Sequence, residues 1–173
     1  MCHYITATLP SNVPSSEAEA IASQFERDWA LLKNPHVQKY LLSGEQYFFT
    51  TRGHCDCGTT LGSKNSLHTN QNSIDRHVKK FRRKGWSQSR IDRWLGEKSK
   101  PKPGGDTFNW KSLISSLIEK GNAEFVGVLL HVYTGYLEDE KVEIEKIEEV
   151  GFSKLSEEYL CKIEEDVLYR FKR

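Results

Sequence analysis

The sequence predicts an α+β domain built on a mainly antiparallel sheet. Three observations predict it: short runs rich in β-branched and aromatic residues, separate stretches whose apolar residues recur at helical spacing, and an element order that mixes adjacent strands with consecutive helices. A length of 173 residues suits a single domain over 1–173 with a continuous core. Apolar residues make up 37% and charged residues 28%, a balance that excludes a charge-rich disordered chain.

The first strand is 4–9, Tyr-Ile-Thr-Ala-Thr-Leu, which stops at Pro10. Ser16 and Glu19 have capping-box spacing, and Ala18, Ile21, Ala22 and Phe25 share a helical face, so a helix is expected over 16–28. Residues 29–33 read as a short strand broken by Asn34-Pro35, and 46–51 as the clearest strand of the N-terminal half. That strand runs into Gly53-His54-Cys55-Asp56-Cys57-Gly58, whose glycines permit a tight turn. The polar 62–72 reads as loop.

From Ser73 the period becomes helical, with Ile74, Val78 and Phe81 on one face, and after Gly85 a second helix capped by Ser87 carries Ile91, Trp94 and Leu95. With its Pro-, Gly- and Lys-rich connector this makes an inserted basic helical hairpin over 73–105. The helix after Asp106 carries Trp110, Leu113, Ile114, Leu117 and Ile118 and stops at Gly121. The almost wholly apolar 124–133 reads as a central strand, and 141–150, with Val142 and Ile144, as a half-exposed one. Leu160, Ile163, Val167 and Phe171 read as the inward face of a final helix capped by Ser156. The order fits a ferredoxin-like split β-α-β core with the hairpin inserted and an extra C-terminal strand and helix appended.

In such a core the first strand lies between 46–51 and 124–133 and runs antiparallel to both, so its start meets their ends. Cys2 and His3, the turn residues His54, Cys55 and Cys57, and His131 then converge on one sheet edge. Thiolate sulfur and imidazole nitrogen are the ligands of tetrahedral zinc, so these six residues are the expected metal site. Side chains two apart on an extended chain point to opposite faces, so Cys55 and Cys57 join one site only through a turn at Asp56. Unmetallated thiols and ordinary packed cysteines are the plainer alternatives, and packing is the expected role of Cys161. Asp56 is the sequence-adjacent candidate for an acid or base.

A net charge of +1 argues against overall attraction to nucleic acid or membrane. No stretch approaches the roughly 20 apolar residues of a membrane helix, and the start lacks a basic and apolar leader, so a cytoplasmic location, reduced cysteines and no membrane partner are expected. Charge is nonetheless segregated. Between Arg76 and Lys102 eleven basic residues face only Asp92 and Glu97, and from Glu138 to Asp166 twelve acidic residues face four lysines. The favoured reading is that the basic residues solvate the outer face of the hairpin or complement the acidic C-terminal third, with nucleic-acid binding as the alternative.

These features predict a binding or regulatory module with a zinc site, acting on a protein or small-molecule partner that the sequence leaves unidentified. Charge segregation also suits an inhibitor or immunity-type factor that masks a partner electrostatically. A third reading starts from Cys2: loss of Met1 would place a thiol and an α-amine on one residue, the arrangement of N-terminal nucleophiles. Met1-Cys2 resembles the class II glutamine amidotransferases over those two residues. The resemblance implies amidohydrolase or amidotransferase chemistry with Cys2 as catalytic nucleophile and His3 or His54 as acid or base.

Overall fold

The computed structural model describes residues 2–62, 78–83, 85–99 and 104–173. Its strands are β1 (Cys2–Pro10), β2 (Ala30–Leu31), β3 (Glu45–Phe49), β4 (Phe125–Tyr133), β5 (Lys146–Gly151) and β6 (Val167–Lys172). The helices are α1 (Ser15–Ser23), α2 (Pro35–Gln38), α3 (Gln88–Ser99), α4 (Gly105–Glu119) and α5 (Glu157–Leu160). The backbone is also helical over 78–83.

The six strands form one sheet in the order β2-β3-β1-β4-β6-β5, antiparallel except for the β5–β6 pair. As expected from the split β-α-β order, β1 runs antiparallel between β3 and β4, with Thr8 opposite both Tyr47 and Gly127. Strands β3 and β4 therefore run parallel to each other on either side of β1, joined through α4. This is the split β-α-β relation. Beyond β4 the sheet follows its own course, because β6 enters between β4 and β5.

Alternation along the strands divides the core in two. Ile5, Ala7 and Leu9 of β1 and Val126, Val128 and Leu130 of β4 face α1 and α4, whose Ile21, Trp110, Leu113 and Leu117 close over them. On the other face Leu129, Tyr133 and Tyr47 pack with Leu32, Val37, Val142 and Ile144. Covering on both faces explains why β4 reads as an unbroken apolar run. No helix among the described residues is long and apolar enough to cross a membrane.

Three expectations from the sequence are corrected. The Ser16–Glu19 capping box is not used: α1 begins at Ser15 behind Pro14 and ends at Ser23, and Glu26 takes a positive φ of 58° that turns the chain away. Residues 141–145 are not strand; Val142 and Ile144 are buried by a loop, and β5 starts at Lys146. The final helix is only the four residues of α5, and Val167–Lys172 is strand β6 instead. Asp166, at φ 59°, reverses the chain before it. In β6 Val167, Tyr169 and Phe171 face one core and Leu168 the other.

On that second face Arg170 of β6 reaches over β4 and β1 to Glu45 of β3. Its guanidinium donates to the carboxylate at 2.7 and 3.2 Å, with the side chains 4% and 0% exposed. Gly127, which pairs with both Thr8 and Arg170, leaves room for the Thr8 hydroxyl: a Cβ there would sit 1.9 Å from Thr8 Oγ1. Thr8 itself donates to Glu45 at 2.5 Å.

The first half of the expected 73–105 hairpin lies largely outside the described residues, as does the connector 100–103. In the remainder Phe81 and Trp86 stack at 4.1 Å, and Ser87 Oγ accepts the Arg90 N–H at 3.4 Å to cap α3, as expected.

Candidate metal centre

The site is assembled where the start of β1 meets the turn after β3. Gly53, at φ 87°, swings the chain back toward β1, and Asp56 anchors it there. The Asp56 N–H donates to the His3 carbonyl at 2.9 Å. Its carboxylate, 2% exposed, accepts from the Ile5 N–H at 2.9 Å, from Arg27 Nη1 at 2.7 Å and from the Thr51 hydroxyl. The Asp56 carbonyl accepts from both the amide and the hydroxyl of Thr59. Gly62 packs so closely on this turn that a Cβ would fall 2.1 Å from the same carbonyl. Both carboxylate oxygens are thus occupied, so Asp56 holds the turn and is not the solvent-facing acid or base considered from its position in the sequence.

With Asp56 pinned inward, its two neighbours turn toward Cys2. The sulfur atoms of Cys2, Cys55 and Cys57 lie within 4.8 Å of one another, close enough to bind one metal ion. All three cysteines are partly exposed and free of disulfides. Backbone amides point at the sulfurs: the His3 N–H donates to Cys57 Sγ at 3.2 Å, and the Cys57 N–H faces Cys55. The Cys57 amide and the neighbouring thiols of Cys57 and Cys2 hold the Cys55 thiol below the usual cysteine range. Burial pushes the Cys57 thiol up. Tyr4 is raised as well, by burial and then by the three cysteines, and its hydroxyl donates to the His54 carbonyl at 2.9 Å, bracing the turn.

The histidines separate. His3 adjoins the sulfurs: Nδ1 is 3.9 Å from Cys57 Sγ, and Nε2 is 2.9 Å from a carboxylate oxygen of Glu165. His54 is exposed and contributes its backbone carbonyl. His131 is buried one strand away, opposite Tyr4; it bonds Asp166 through Nδ1 and packs edge-on against Tyr133 at 4.6 Å. Its Nε2 is buried with no hydrogen-bond partner among the described residues. Cys161 is buried at the end of α5, away from the group.

An open cleft of about 500 Å³ adjoins the sulfurs, lined by Cys55, Arg27, Arg52, Thr59, Asp106 and Asn109. Arg27 reaches it from the turn after α1, with its guanidinium 4.9 Å above the Trp110 ring. Arg27, Thr51 and Glu165 support the site yet carry no motif. Each becomes visible only once the fold brings it to Asp56 or His3.

No protein-family model matches the chain, and no curated protein or solved structure matches it either.

Proposed function

We propose that Cys2, Cys55 and Cys57 bind zinc as thiolates, that His3 completes the coordination, and that the chain acts as a zinc-stabilised binding or regulatory module of the reducing cytoplasm. The convergence of the three sulfurs within 4.8 Å carries the reading. Zinc–sulfur bonds of 2.3 Å at the tetrahedral angle set sulfurs about 3.8 Å apart, so a contraction of about an ångström seats the ion. The corresponding sulfur–nitrogen separation is about 3.6 Å, near the 3.9 Å between Cys57 Sγ and His3 Nδ1. A metal-bound histidine characteristically donates its other ring nitrogen to a carboxylate, the relation that Glu165 has to His3. Amide donors to sulfur favour the thiolate that zinc requires. With four protein ligands the ion would tie β1 to the turn after β3 and contribute directly to folding.

The test is metal content by elemental analysis together with native and denaturing mass spectrometry of the full chain. Expected is one zinc per chain, lost on denaturation and on Cys55→Ser/Cys57→Ser substitution. His3→Ala should weaken retention against a chelator by 10-fold or more, while His54→Ala leaves it unchanged. A metal-free protein whose thiols alkylate freely and whose melting ignores added zinc would replace this reading with unmetallated thiol chemistry.

A further inference from the structure

We infer that the exposed basic residues of the helical segments 78–83 and 88–99 form a docking site for the phosphate backbone of double-stranded nucleic acid. The inference is independent of the zinc reading and rests on charge, pairing and the stacking that holds the segments together.

Lys79, Lys80, Arg82, Arg83, Arg90 and Arg93 are all exposed. None takes part in an ion pair among the described residues. The nearby Asp92 carboxylate accepts from Gln88 Nε2 at 2.8 Å. Within the acidic C-terminal third the ion pairs among the described residues are made with other partners: Lys141 with Glu143, Lys146 with Glu148, and Lys172 with Glu149, at 2.7, 2.6 and 2.5 Å. No ion pair among the described residues joins the two charged regions.

Solvation alone explains the surface poorly. Lys79 and Arg82, Lys80 and Arg83, and Arg90 and Arg93 stand three residues apart on helical backbone. Each like-charge neighbour of this kind destabilises a helix, where a mixed surface would be as soluble without the repulsion. An external polyanion relieves that repulsion and releases its own counterions on binding.

The apolar contacts of the segment narrow the partner. Trp86 is stacked on Phe81 at 4.1 Å on one side and covered by the Arg90 guanidinium at 4.0 Å on the other. Both faces of Trp86 are thereby covered, so this ring offers no surface on which an unpaired base could stack, and a duplex backbone suits the segment better than a single strand. Among the described residues the exposed large apolar side chains, Leu31, Leu42, Phe108, Tyr136 and Ile147, all lie elsewhere. A surface helix that enters a membrane offers such residues beside its cations, and none stands among the described side chains of these segments. A regular duplex backbone, read by charge and spacing, is the ligand that these exposed cations and the covered Trp86 favour.

The experiment is fluorescence anisotropy of the full chain with labelled 24-base-pair DNA and RNA duplexes of mixed sequence between 50 and 200 mM KCl. Five phosphate contacts make the affinity fall about 500-fold across that range, with little dependence on sequence. Lys79→Gln/Arg82→Gln/Arg83→Gln should leave a fall of about 10-fold, since three contacts are gone. Arg90→Gln/Arg93→Gln is the second variant, on a different helix, and Arg82→Lys/Arg83→Lys should retain the parent's salt dependence. The DNA and RNA arms identify which duplex is bound. Absence of saturable binding at 50 mM KCl, neutralised variants with an unaltered salt dependence, or binding to phosphatidylserine vesicles but to neither duplex would each overturn the inference.

Discussion

Asp56→Asn should destabilise the protein by about 3–5 kcal/mol, the usual loss when one partner of a buried ion pair is removed. The size follows from what the carboxylate holds. One oxygen receives Arg27 at 2.7 Å and the other receives the Ile5 amide and the Thr51 hydroxyl, with the Arg27 and Asp56 side chains 7% and 2% exposed. Asparagine keeps the shape but offers one acceptor and an NH₂ group, so a donor must face a donor on one side. Arg27 meanwhile stays buried over Trp110 with its charge unanswered. For a domain of this size the loss lowers Tm by roughly 10 °C or more. Urea unfolding at pH 7 measures it, and a cycle with Arg27→Met should give a coupling of about 2–3 kcal/mol. Metal retention should fall in step, because the same turn aims Cys55 and Cys57 at Cys2. A cost under about 1 kcal/mol, or strict additivity with Arg27→Met, would refute the reasoning.

Other outcomes follow from the same structure. Burial pushes Tyr47 up to about 12, above its value near 10 in the unfolded chain. Its contribution is therefore complete below about pH 10 and is lost as pH rises toward 12, a decline of about 2–3 kcal/mol in urea-derived stability that Tyr47→Phe should lessen. Arg170→Met should cost about 3–5 kcal/mol by leaving Glu45 buried and unpaired, whereas Glu45→Leu/Arg170→Met should return close to the parent in the same unfolding assay. In metal-free protein Cys55, held low, should alkylate at lower pH than Cys57, held high, as mass mapping of iodoacetamide-treated samples would read. The stability that Cys55 supplies is present above the ordinary thiol pKa and is lost as pH falls through its lowered one. Alkylation of Cys57 first would contradict this order.

The central strands were legible because their signals are local and strong: a β-branched run ended by Pro10, an aromatic run at 46–51, and an apolar run at 124–133. Their order then placed Cys2 beside Cys55 and Cys57, so the thiol cluster could be anticipated from topology. The C-terminal helix misled for a simple reason. Ile163, Val167 and Phe171 recur every four residues, and four is close to one helical turn and also two periods of a strand. The residues between them decide, and Leu168, Tyr169 and Arg170 are buried as they can be only in a strand covered on both faces. The end of α1 was hidden differently, since nothing in Gln-Phe-Glu-Arg-Asp announces a left-handed Glu26. That turn delivers Arg27 to Asp56, so the misplaced helix end and the missed support for the site are one omission. Glu165 was equally silent, because an exposed-looking acid in an acidic stretch has no sequence mark of its role beside His3.

The glycine at position 127 has a consequence for the order in which the molecule can be completed. Glu45 belongs to the third strand in the chain and its cation to the sixth, and they meet across the first and fourth strands, where Gly127 leaves room for the Thr8 hydroxyl that also bonds Glu45. During synthesis the early strands can pair, but the carboxylate lacks its Arg170 partner until β6 has been made and docked. Closure of that face is thus deferred until the last strand docks. A nascent chain short of β6 keeps Glu45 in water and its sheet unfinished.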